Sequence, residues 1–133
     1  MAIRHRNHLG IITNATVALS GSVVTVDLTS AATGAFGTEP RKDISGTQVM
    51  WEGNTFQDSP VNVLYYTGAN NDRDPILLAI GGIIPTNTIT GYTVNDVNMD
   101  GTVKYTGAGN DRDPILSNIG GVIPTNSRQE QLP

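Results

Sequence analysis

The sequence predicts a mainly β fold with short helices, in which an N-terminal β-sheet and hairpin half packs on two loop–helix repeats. Three observations predict it. Charged residues make up only 15% and aromatics 5% of the 133 residues, and Gly, Thr and Asn fill the gap; such a composition favours turns and short strands over long helices. Apolar and polar residues alternate in the first half. The second half is duplicated: residues 66–88 and 105–127, 39 apart, are identical at 18 of 23 positions, which chance does not give. The chain therefore divides into a β-strand region, 1–52, and a duplicated region, 53–133, split into 53–91 and 92–133.

In chain order, residues 3–12 predict one extended strand with Ile3, His5, Asn7, Leu9 and Ile11 on one face. Ser20-Gly21 is a turn signal between Ala15–Leu19 and the alternating run Val23–Leu28, so 15–29 predicts a hairpin. Residues 30–46 predict a loop with one helical turn, and 47–52 another strand. Each repeat then carries Asp-Pro-Ile-Leu, at 74–77 and 113–116. Asp followed by Pro suits a helix start, because the carboxylate accepts free N–H groups and Pro needs none. Gly81-Gly82 and Gly120-Gly121 predict the helix ends, with Pro85 and Pro124 beyond.

The net charge of −4 and a total of eight Lys and Arg argue against a nucleic-acid partner. No apolar run approaches the ~20 residues of a membrane span. With no cysteine, no disulfide stiffens the chain; a bound metal is the obvious substitute. Met1 is followed at once by Ala-Ile-Arg-His-Arg, which lacks the apolar segment of a signal peptide. A mature or partial sequence is expected. The polar tail 127–131 is expected to be held by a neighbouring subunit.

The chemistry lies in Asp96-Val97-Asn98-Met99-Asp100-Gly101. Oxygen-bearing side chains at loop positions one, three and five, then a glycine for the sharp turn, open an EF-hand-type calcium loop. Thr102 would add its backbone carbonyl, and Val103 suits the apolar position that follows. The twelfth position, which usually closes the loop with an acid, is Gly107. An insertion of six residues brings Asp113 into that role, with Asp111 a second candidate; a plain helix cap is the alternative for Asp113. In the first repeat Asn54 and Asp58 keep the first and fifth positions, while Phe56 replaces the third ligand. Asn70, Asp72 and Asp74 alternate as a separate oxygen cluster, so this second, weaker site comprises Asn54, Asp58, Asn70, Asp72 and Asp74. Seven of the nine aspartates lie between 58 and 113, and a cation would turn their repulsion into attraction.

Other candidates carry less. On one strand His5 and His8 would face opposite sides, so hydrogen bonding or packing is expected rather than a shared metal. Asp72/Asp74 and Asp111/Asp113 could be acid–base pairs, yet a duplicated structural site explains two such pairs better than one active site does. Arg73 and Arg112 are expected as local charge partners. Trp51, Tyr65, Tyr66, Tyr92 and Tyr105 suit core and sheet packing before a sugar platform. Asn14-Ala15-Thr16 matches a glycosylation sequon.

Four segments, R-H-R-N-H at 4–8, V-D-L-T-S-A-A-T-G-A-F-G at 26–37, V-M-W-E-G-N at 49–54 and D-V-N-M-D-G at 96–101, span nearly the whole chain. With them the sequence resembles the dockerin-like, EF-hand-type calcium repeats at the C-terminal ends of large secreted and surface proteins of Bacteroidota-type bacteria. The resemblance implies two dockerin-like loop–helix calcium repeats, an extracellular or cell-surface setting, calcium as the cofactor and no catalysis. Phe56 and the insertion at 60–62 depart from the pattern. The Y-T-G-A-x-N-D-R-D-P insert is absent from ordinary dockerins, so cohesin binding is not carried over. The expected function is a non-catalytic subunit of an extracellular filament, a homopolymer built by head-to-tail strand pairing in which residues 2–12 are donated to a neighbour. The alternative is a calcium-dependent binding module for a glycan or a docking protein.

Overall fold

The computed structural model describes residues 1–20, 23–58 and 60–133. It consists of small antiparallel sheets and two short helices: β1 Ala2–His5, β2 His8–Ile12, β3 Lys42–Ile44, β4 Thr47–Val49, β5 Val63–Tyr65, α1 Arg73–Ala79, β6 Thr88–Thr90, β7 Thr102–Lys104, α2 Arg112–Asn118 and β8 Ser127–Gln129. The mainly β class is as the sequence predicts. Among the described residues, no helix is long and apolar enough to cross a membrane.

Two N-terminal expectations are corrected. Residues 2–12 are not one strand but a hairpin, β1 against β2, turning at Arg6-Asn7 with Ala2 opposite Ile12 and His5 opposite His8. The backbone of β1 is thus paired within its own chain. The turn also brings His5 and His8 to the same side, with their Nδ1 atoms 2.8 Å apart. The predicted hairpin over 15–29 has no strand in 15–20 or 23–29, and its turn at Gly21 lies outside the described residues. Alternation alone gives no strand where one face has nothing to cover it: Leu19 is 84% and Val23 95% exposed. This stretch is held instead by the Arg41 guanidinium, which donates to the carbonyls of Leu28, Ser30 and Thr33.

The two helices are near-copies. Each begins one residue before its Asp-Pro pair, and the cap comes from asparagine. Asn110 Oδ1 accepts the Asp113 N–H at 2.9 Å while its Nδ2 donates to Asp113 Oδ2 at 2.8 Å. Asn71 and Asp74 repeat the exchange, so one free helix N–H is met by an asparagine oxygen while the asparagine amide is fixed by the aspartate carboxylate. Both helices stop at the predicted Gly pairs, where φ is +110° and +75° at Gly81 and Gly82 and +115° and +77° at Gly120 and Gly121.

Each helix turns two isoleucines, four residues apart, into the core. Ile76, Ile80 and Ile115 pack with Val97 and Val103, while Ile119 packs with Leu64 and with Leu9 of the N-terminal hairpin. The strands interlock the repeats. β6, at the exit of the first repeat, pairs with β7, which opens the second. β8, at the exit of the second, returns to pair with β5, which opens the first. Two side-chain bonds repeat the exchange, from Thr67 Oγ1 to the Pro124 carbonyl and from Thr106 Oγ1 to the Pro85 carbonyl, both 3.0 Å. The polar tail is therefore tied within its own chain rather than left for a neighbour.

Candidate metal centre

The 96–102 loop has the backbone its sequence demands. Gly101 sits at φ +84° and Met99, just before Asp100, at φ +60°, so the chain reverses tightly. Asn98 Oδ1 accepts the Asp100 N–H at 2.9 Å, and Asp100 Oδ1 accepts the Thr102 N–H at 2.8 Å. Asp96 is fully buried. Its Oδ2 accepts the Gly101 N–H at 3.2 Å and lies 3.7 Å from Arg6 Nη2. Its Oδ1 is buried with no hydrogen-bond partner. A buried carboxylate oxygen left bare costs free energy unless a cation or donor meets it. Together with the Asn98 and Asp100 oxygens and the Thr102 carbonyl, it fits a hard, oxygen-seeking cation.

The two aspartates expected to close the loop do other work. Asp111 is fully buried, and Oδ1 accepts the N–H groups of Val97 at 2.6 Å and Asn98 at 3.2 Å, while Oδ2 accepts that of Lys104 at 2.7 Å. Its own N–H donates to the Lys104 carbonyl at 2.9 Å. Burial pushes its carboxyl upward, the three N–H groups oppose that, and the Asp96 charge adds to it. Asp113 faces outward, bound to Asn110 and to Arg112 at 3.2 Å. Its carboxylate is held by those two side chains rather than by the free N–H groups of the helix, and Arg112 is a local charge partner. Among the described residues, no three His, Cys, Asp or Glu side chains converge on a metal position. Within the loop, side-chain ligation would fall to Asp96, Asn98 and Asp100.

The first repeat reproduces this frame despite Phe56. Asp72, fully buried, accepts the N–H groups of Thr55 at 2.8 Å and Phe56 at 3.0 Å on Oδ1, and that of Tyr65 at 2.8 Å on Oδ2. Burial pushes its carboxyl up to about 6 despite those three donors, and the nearby Asp58 charge acts in the same direction. Gln57 sits at φ +54°, matching Met99. Asn54 Oδ1 and Asp58 Oδ2 are both buried without a partner. Asn70 is exposed at φ +58°, and the Asp74 carboxylate is held by the Asn71 and Arg73 side chains. The cluster read as Asn70, Asp72 and Asp74 is therefore split, whereas Asn54 and Asp58 are the pair with free oxygens. The Asp72/Asp74 and Asp111/Asp113 pairs each divide into a buried acceptor of backbone N–H groups and an exposed carboxylate held by the adjacent Asn and Arg side chains.

Sequence reasoning missed what joins the two loops. The Asn7 carbonyl accepts the N–H groups of Gly53 at 2.8 Å and Asn54 at 3.0 Å, and Asn7 Nδ2 donates to the Asp96 carbonyl at 2.6 Å. Arg6 Nε donates to the Thr93 carbonyl at 3.0 Å, and its carbonyl accepts from Gln57 Nε2. The tip of the N-terminal hairpin thus grips both loops at once. His8 Nδ1 faces Asn7 Oδ1 and His5 Nδ1, each at 2.8 Å. The amide oxygen can only accept, so the His8 proton sits on Nδ1. Burial, with the His5 and Arg6 charges, lowers the His8 pKa to about 4. A polar cavity of about 550 Å³ opens beside this tip, bounded by His5, His8, Asn54, Gln57, Asp58 and Glu130. The R-H-R-N-H run was a visible signal; nothing in the sequence marked Glu130, a buried carboxylate in a polar tail.

Trp51, Tyr65, Tyr66 and Tyr105 are half-buried, whereas Tyr92 is 79% exposed with Arg6 5.7 Å from its ring centre. The Arg128 guanidinium lies 3.6 Å from the centre of the Trp51 ring, and Arg73 and Arg112 lie 5.3 Å and 5.2 Å from those of Tyr66 and Tyr105. Comparison with protein-family models, curated proteins and solved structures finds no match.

Proposed function

We propose that this chain is a non-catalytic, calcium-stabilised structural subunit of an extracellular or cell-surface bacterial filament, built of two dockerin-like loop–helix repeats and assembling through strand pairing between copies. The observation that carries the calcium assignment is the buried, unpartnered Asp96 Oδ1 in a loop whose next oxygens belong to Asn98, Asp100 and the Thr102 carbonyl. Asn54 and Asp58 are the weaker second site. The N–H bonds of Asp72 and Asp111 support the reading by fixing both loops in shape, so a cation meets a formed frame rather than a floppy turn. The chain has no disulfide to do this stiffening.

A structural role is favoured over a glycan-binding module because Trp51, Tyr66 and Tyr105 have cations over their rings, leaving few flat faces for a sugar. Calorimetric titration with calcium, followed by electron microscopy of concentrated protein, tests the whole. Uptake of calcium together with regular filaments is expected. Absence of calcium uptake would remove the cofactor, and a monomer at all concentrations that binds sugar would reverse the order of the two functions.

A further inference from the structure

We propose that residues 127–131 are an exchangeable arm, which a second copy of this chain accepts in the groove that the arm fills in its own molecule. This rests on the filament reading and names the segment that would join its subunits.

The groove is specific. β8 runs antiparallel to β5, with Gln129 opposite Val63 and Ser127 opposite Tyr65. Beyond it, Glu130 is 3% exposed. Its Oε1 accepts the Gly10 N–H at 2.7 Å and lies 3.2 Å from Asn62 Nδ2 and from Arg4 Nη1. The Glu130 N–H donates to the Asn62 carbonyl at 2.8 Å. Gln131 Oε1 accepts the Thr38 N–H at 3.2 Å. Gly10 is the floor: a Cβ there would lie 2.5 Å from Glu130 Oε1 and 3.2 Å from Leu132 Cδ1. Arg128 adds a bond to the Asn118 carbonyl at 2.7 Å and stacks on Trp51. Every one of these partners is present in the same place in any other copy, so an arm arriving from a neighbour would find all of them.

The connection to the arm is suited to opening. Residues 120–127 are exposed throughout, and Val122 is 84% exposed, so little packing is lost when they straighten. Gly120 and Gly121 sit at positive φ and can move to extended angles without a steric penalty. The stretch 120–126 would then span about 23 Å at ~3.3 Å per residue. The chain already uses this pairing between units. β6 leaves the first repeat to pair with the second, and β8 leaves the second to pair with the first. An exit strand is donated in both cases, and donating β8 to the next molecule makes a head-to-tail contact that propagates.

The chain has no cysteine, so introduced ones report cleanly. A Val63→Cys/Gln129→Cys double variant, oxidised while dilute, locks the arm into its own groove. It is expected to stay monomeric by light scattering where the reduced form assembles. An equimolar mixture of the two single variants, concentrated and then oxidised, is expected to give interchain disulfide dimers. A Thr25→Cys/Gln129→Cys mixture should give at least tenfold fewer. Gly10→Ala, which fills the Glu130 seat, should abolish the interchain disulfide. Filaments that form as readily from the locked variant would overturn the arm and leave the filament reading standing. Interchain disulfides without any filament would support the arm and overturn the filament. No disulfide above the Thr25 control would overturn the arm whatever else is seen.

Discussion

Asp111 and Val97 are joined by a 2.6 Å bond from the Val97 N–H to Asp111 Oδ1, and that bond closes a loop that its sequence leaves without a terminal acid. The same carboxylate also takes the N–H groups of Asn98 and Lys104. Its place is therefore at the hinge of the 96–102 loop's frame. The Asp72 carboxylate holds the first repeat in the same way, through Thr55, Phe56 and Tyr65.

Asp111→Ala should destabilise the fold even without calcium. It strands three backbone N–H groups, that of Val97 fully buried and those of Asn98 and Lys104 half-buried, and an unpaired buried donor costs about 1–3 kcal/mol. A loss of about 2–3 kcal/mol by urea unfolding in chelator is expected. An unchanged midpoint would show that the bonds carry no stability.

Asp100→Ala should remove most calcium affinity while leaving the melting temperature in chelator nearly unchanged, because Asp100 is exposed and takes its N–H bond from the neighbouring Thr102. Asp96→Asn should likewise weaken binding, since it takes away the charge on the unpartnered oxygen. Calorimetry on both variants checks the assignment; wild-type uptake in either one would place the ion elsewhere.

Chelation should lower the thermal midpoint. A ligand that binds only the folded state adds about 2.7 kcal/mol at a hundredfold excess over its Kd, a large share of the ~5–15 kcal/mol of a typical domain. Differential scanning calorimetry with calcium and with chelator measures this directly. Superimposable curves would exclude a structural ion.

Acid should weaken the fold through His8. Its pKa is lowered from 6.5 to about 4, so the folded state disfavours the proton that the unfolded chain takes up. The contribution is complete above pH 6.5 and falls away as the pH drops towards 4, by on the order of 3 kcal/mol. Urea midpoints at pH 7.5 and 4.5 should differ less in His8→Gln than in the wild type. An equal difference would show that other groups govern the acid limb.

The parts legible in the sequence were those with local causes. The Gly pairs that end both helices need positive φ, and glycine announces that in any sequence. The 96–101 run gave the loop because its oxygens, turn glycine and spacing lie within six residues. The parts that were not legible depend on partners far along the chain. Arg6-Asn7 carries no strong turn signature, so a hairpin read as one strand and His5 and His8 were set on opposite faces. Glu130 is buried by Gly10, Arg4 and Asn62, more than sixty residues away, and a glutamate in a polar tail gives no hint of them. Val23 to Leu28 alternates without a surface to cover, and there the pattern misled.

The crossing of β6 onto β7 and of β8 onto β5 has a consequence for inheritance as well as for shape. Neither repeat can complete a ladder from its own residues, so a single unit cut from the chain would have to meet another unit before it could fold. Each copy is in effect the mould for the other, and a substitution that spoils the fit in one is felt in both. Such mutual templating gives two neighbouring stretches a reason to stay alike after they arise.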